Sequence, residues 1–181
     1  MKFFSGFSLK GEEELFERWL VKGDTVVAGF SYGAIKAFED VYRGDGRVDR
    51  LLLFSPAFFQ FKPRRYIELQ LDSFRKNRDA YIDKFLERSA YPCDYSVMES
   101  YRDSRSDIDD LEFLLNYEWK IAEIEEVLER GTRIEVFTGS KDKIVDSGSI
   151  VDFFSGTVPC YEIKGAGHIL KLAKEQGDWI L

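Results

Sequence analysis

The sequence predicts an α/β domain: a mainly parallel sheet of about five strands, flanked by helices and interrupted by a helical insertion. Three observations carry this. Its apolar runs are continuous rather than alternating, as strands buried on both faces require. Stretches with helical spacing separate them. The run Gly29-Phe-Ser-Tyr-Gly33 stands directly between an apolar run and a small-residue helix start.

Taken in order, Met1–Phe4 is a short first strand ended by Ser5-Gly6. Glu12, Glu13 and Glu14 then occupy a first helical turn, where carboxylates suit the positive end of the helix dipole. Leu15, Phe16, Trp19 and Leu20 continue the helical spacing, and Gly23 stops it. Thr25–Ala28 is the second strand, and the helix after Gly33 runs to about Tyr42. Leu51–Phe54, Arg133–Phe137 and Val158–Ile163 supply the remaining strands. Between Phe58 and about Ser106 no strand is predicted. Tyr66, Ile67, Leu71 and Phe74 mark one amphipathic helix there, and Tyr81, Ile82, Phe85 and Leu86 a second. A further helix spans about Asp109 to Arg130, with an interruption near Asn116. The expectation is one domain over 1–181 with a helical lid at about 58–115; the plainer alternative is that these helices only cover the sheet.

At 181 residues the chain can bury roughly two-thirds of its unfolded surface. A net charge of -7 argues against a general nucleic-acid binder. No stretch approaches the ~20 apolar residues of a membrane span. The first residues hold one basic side chain and no long apolar core, so a signal peptide is not expected. Cys93 and Cys160 read as reduced cysteines of a cytoplasmic protein. With one histidine in the chain, a zinc site is not expected.

The chemistry gathers at three places. A G-x-S-x-G run between strand and helix makes a nucleophile elbow, which lifts the serine hydroxyl off the sheet edge. Ser31 is therefore the candidate nucleophile; a glycine-rich βα turn without chemistry is the alternative. His168, the single histidine, lies in Gly165-Ala-Gly-His168 after the last strand and is the candidate base. Its orienting acid should follow the preceding strand, where Asp142 and Asp146 both stand. Asp142 is favoured, because Asp146 precedes Ser147-Gly-Ser and suits a helix N-cap. The order Ser31, Asp142, His168 is that of the α/β-hydrolase triad. Backbone amides of Tyr32 and Phe7 are the expected oxyanion donors.

With those residues placed, the chain resembles an unusually short, minimal α/β-hydrolase. Met1-Lys-Phe-Phe-Ser-Gly-Phe7, Gly29–Ala37, Leu51-Leu-Leu-Phe-Ser-Pro56, Leu111–Tyr117 and Ile134–Gly139 resemble the compact pimeloyl-[acyl-carrier protein] methyl ester esterases of biotin synthesis. The resemblance implies a serine carboxylesterase that removes the methyl ester from a pimeloyl chain carried on acyl carrier protein. It implies Ser31 as nucleophile, His168 as base and Asp142 as its acid, without cofactor or metal. Many hydrolases carry His-Gly where this chain has Ser5-Gly6, a departure that leaves the amide donor in place.

An acidic carrier would meet a basic surface, and Lys62, Arg64, Arg65, Arg75, Lys76 and Arg78 oppose only Glu68 and Asp72 in that stretch. The alternative is a solvated helix face in which Arg64–Glu68 and Asp72–Lys76 pair with each other. Phe54, Phe58, Phe59 and Phe61 are candidates for an acyl channel, or else core. Two other functions stay open: a general carboxylesterase or thioesterase on small or CoA-linked acyl groups, and a catalytically silent binding module. Oligomeric state is not legible.

Overall fold

Each apolar run becomes a strand because both of its faces are covered. The computed structural model describes residues 1–103 and 105–173. The expected single domain extends past these, since residues 104 and 174–181 lie outside the described residues. Among the described residues the sheet comprises β1 (Lys2–Phe4), β2 (Val26–Phe30), β3 (Arg50–Phe54), β4 (Arg133–Gly139) and β5 (Cys160–Ile163). All neighbours pair in parallel and in chain order. The central strands β2, β3 and β4 are almost wholly buried, whereas the edge strands β1 and β5 are half-exposed.

One face of the sheet carries α1 (Tyr32–Arg43), α6 (Ile121–Glu129) and α7 (Ser147–Phe154). Ala34, Ile35, Ala37, Phe38 and Val41 recur at helical spacing and give α1 its buried stripe. Trp119 bridges the helices on this face, its ring lying 5.2 Å from Phe38 and 5.3 Å from Phe154.

The other face is aromatic. Phe30, Phe54, Phe137 and Tyr161 lie side by side across β2 to β5 in register. Phe16 covers the first two, with its ring centre 4.7 Å from Phe54 and 4.8 Å from Phe30, and Trp19 lies 6.3 Å from Phe137. The β1–β2 connection therefore crosses on the face opposite α1. Both connections step one strand in the same direction, so they have opposite hands. The right-handed rule comes from a helix packing back on a twisted sheet, and the β1–β2 connection has no α-helix to obey it.

That connection departs from expectation. Only Glu12–Phe16 is helical, in tight 3-10 turns, rather than a helix running to Gly23. Glu12 is drawn inside with Leu15 and Phe16 instead of standing in solvent at a first turn. The helical stretch over 109–130 is interrupted after Asn116, as its sequence suggested, and forms two helices, α5 (Ile108–Asn116) and α6. It breaks because Trp119 must be buried: its indole N–H donates to the Ala57 carbonyl at 3.0 Å and its amide to Gln60 at 2.8 Å.

Between β3 and α6 lie α2 (Arg64–Lys76), α3 (Arg78–Ala90), the short α4 (Ser96–Glu99) and α5. Helix α2 packs on both α3 and α5. No helix among the described residues is long and apolar enough to cross a membrane.

Phe16 is fully buried, and truncating such a ring leaves a cavity as well as losing its transfer energy. Phe16→Ala should cost about 3–5 kcal/mol of stability in urea unfolding.

Candidate active site

Close backbone approach makes the elbow. A Cβ on Gly29 would overlap the Gly33 carbonyl, and one on Gly33 would overlap the Phe4 carbonyl. Ser31, between them, has φ 54° and ψ -113°, a strained backbone for a non-glycine residue. Bonds on both sides hold it: its amide donates to Phe54 O at 2.9 Å, and its carbonyl accepts from Ala34 and Ala57, each at 3.1 Å.

His168 is fully buried beside it, its Nε2 2.9 Å from Ser31 Oγ. On the other side Nδ1 lies 2.7 Å from Asp142 Oδ2. The second Asp142 oxygen accepts the amides of Ile144 at 2.7 Å and Val145 at 3.0 Å. A carboxyl group that accepts from two amides faces Nδ1 as an acceptor, so Nδ1 carries the proton. Nε2 is then left to accept from the Ser31 hydroxyl. Phe30 packs 4.9 Å from the imidazole. The Ser55 hydroxyl, at the end of β3, donates to the His168 carbonyl at 2.6 Å and fixes the histidine loop.

Asp146 takes no part in this chain of bonds. It stands at the N-terminus of α7, where its carboxylate accepts from the Ser149 hydroxyl at 2.8 Å. That bond lowers its pKa below the ordinary aspartate value.

Ser31 opens into a cavity of about 200 Å³ between the C-terminal edge of the sheet and helices α2, α3 and α5. Phe7, Phe59, Leu111, Leu114, Leu115 and Ile144 give it apolar walls. Lys84, Arg88 and Lys143 also line it, with no carboxylate among the lining residues. Arg88 donates to the Lys143 carbonyl at 2.6 Å, joining α3 to the loop that bears Asp142. Nothing in the sequence pattern singled out these cations, which come from two distant segments. Tyr32 ties α1 to α5, its hydroxyl donating to Asp110 at 2.6 Å. Burial and the Asp110 acceptor push that phenol well above its ordinary pKa.

Of the four phenylalanines considered for an acyl channel, only Phe59 lines the cavity. Phe54 is core, stacked between Phe16 and Phe137. Phe58 packs on Phe153 and Phe154 beside α7, because the turn after β3 sends alternate side chains apart. Phe61 is 68% exposed. The basic stretch is also partly neutralised. Arg64 pairs with Glu68 at 3.0 Å and Arg75 with Asp72 at 3.3 Å. Arg78 is turned inward, donating to the Ser106 carbonyl at 2.8 Å, and Lys62 lies over the Tyr66 ring. Arg65 and Lys76 have no ion pair among the described residues. No group of three or more His, Cys, Asp or Glu side chains among those residues is arranged to hold a metal ion.

With this geometry in hand, comparison with solved structures settles the architecture. MenH from S. aureus superposes with a TM-score of 0.63 at 12% identity, covering 93% of this chain and 87% of that one. BioG from Haemophilus influenzae gives 0.57 at 14% identity, with the same two coverages of 93% and 87%. An esterase from Exiguobacterium antarcticum gives 0.60 at 14% identity over 79% of this chain, which spans only 59% of that esterase. The chain has the α/β-hydrolase fold. No protein-family model and no curated protein matches it.

Because the Phe4 carbonyl occupies the space a side chain would need, Gly33→Ala should cost about 4 kcal/mol or more. Urea unfolding measures the loss.

Proposed function

We propose that the protein is a serine carboxylesterase that hydrolyses the methyl ester of pimeloyl-[acyl-carrier protein] methyl ester. One observation carries the chemistry: Ser31, His168 and Asp142 form a continuous chain of hydrogen bonds at the floor of a cavity with apolar walls. The substrate rests on the sequence resemblance, and the three cations at the cavity suit the anionic arm and acidic surface of a carrier.

In this mechanism His168 takes the Ser31 proton as Oγ attacks the ester carbonyl. The negative charge that develops on the carbonyl oxygen is met by the amides of Phe7 and Tyr32. The imidazolium, held by Asp142, returns the proton to the departing methoxide and methanol leaves. Water then repeats the sequence on the acyl-enzyme, and the free carboxylate is released. Lys84, Arg88 and Lys143, with Arg65 and Lys76, are the cations placed to meet the carrier. Lys62, Arg64, Arg75 and Arg78 contribute less, because none of them lines the cavity and each already has an acidic, carbonyl or aromatic partner.

Ser31→Ala should lower turnover by about a million-fold. Asp142→Asn should lower it roughly ten-thousand-fold by favouring the wrong imidazole tautomer, while Asp146→Asn stays within a few-fold. Measured kcat values decide between the two aspartates. Product analysis with methyl-pimeloyl carrier protein tests the substrate. Methanol with the thioester intact is expected; a released acid would mean a thioesterase. Equal rates on free methyl pimelate would remove the carrier.

A further inference from the structure

The loop that carries Phe7 is clamped on both sides, by two side chains the reaction itself does not use. Glu12 is fully buried, and its Oε1 accepts the Gly6 amide at 2.6 Å. The Ser5 side chain also bonds this carboxyl, and no cation among the described residues pairs with it. On the far side, Ser106 Oγ accepts the Ser8 amide at 2.8 Å, and the Ser8 carbonyl accepts from the Asp103 amide at 2.8 Å. Ser8 is held at φ 56°. Gly6 and Ser8 have thus given their amides to side-chain acceptors. The Phe7 amide between them donates to nothing among the described residues, and Phe7 shares a cavity wall with Ser31.

A buried carboxyl without a cation beside it is a costly way to stabilise a fold. An apolar residue in the same space would avoid desolvating a polar group. What the carboxyl adds is an acceptor at one point of the loop. Burial raises its pKa above the ordinary glutamate value. We propose that Glu12, seconded by Ser106, is a positioning residue that holds the Phe7 N–H unpaired and aimed at the oxyanion.

This rests on the hydrolase reading, and the experiment separates the two. Wild type, Glu12→Gln, Glu12→Leu and Ser106→Ala are compared on one activated ester, with urea unfolding as control for folding. Glutamine keeps a carbonyl acceptor for Gly6 and should hold kcat within about threefold of wild type. Leucine fills the space without an acceptor and should lower kcat by about 100-fold or more at unchanged KM, the scale of one lost oxyanion donor. Ser106→Ala should lower kcat about tenfold, again at unchanged KM, and it reports on the clamp even if the leucine variant does not fold. A folded Glu12→Leu with wild-type kcat overturns the proposal. So does a Gln variant as slow as the Leu variant, or an unfolded Leu variant together with an unchanged Ser106→Ala. If wild type itself neither turns over esters nor is labelled at Ser31 by an organophosphonate, it is the hydrolase reading that fails.

Discussion

Everything at the site depends on how closely α1 can approach the strands beneath it. Where Gly29 and Gly33 face backbone carbonyls, the helix starts almost in contact with β1 and β2. That closeness leaves Ser31 no relaxed conformation, and its strain is held by three hydrogen bonds to neighbouring backbone. The same closeness brings the end of β1, and therefore the Phe7 loop, beside the serine. One short backbone distance thus sets both where the hydroxyl points and which amides surround it.

Around that point the molecule spends its polar groups in series. Asp142 is held by two amides, His168 by Asp142, and the His168 carbonyl by Ser55. In that series each buried polar group is satisfied by the next, as a low-dielectric interior requires. The aromatic face under the sheet serves the same end. Phe30 fills the space beside the imidazole and excludes water from it.

Much of this was legible in the sequence, for physical reasons. Strands covered on both faces must be continuously apolar, so β2, β3 and β4 could be read directly. A single histidine after the last strand left one candidate base, and chain order supplied the rest. The parts that escaped depend on direction rather than type. Glu12 reads as a dipole partner at a helix start, and only the tertiary fold turns it inward. Phe54, Phe58, Phe59 and Phe61 are close in sequence, but only Phe59 reaches the cavity, while Phe58 and Phe61 pack on each other beyond the end of β3. Lys84, Arg88 and Lys143 meet only because α3 folds back over the loop after β4. The pairing of Arg64 with Glu68 was visible as spacing; whether the charges met was not.

The first strand has a consequence of its own. β1 is three residues long, lies at the sheet edge and is half-exposed, yet the Phe7 loop hangs directly from it. Edge segments with few buried contacts open at lower free energy than the core. The Phe7 loop is therefore fastened to an edge of the sheet rather than to its buried centre. On heating or in denaturant, the Phe7 loop should come away from Ser31 while β2, β3 and β4 are still intact.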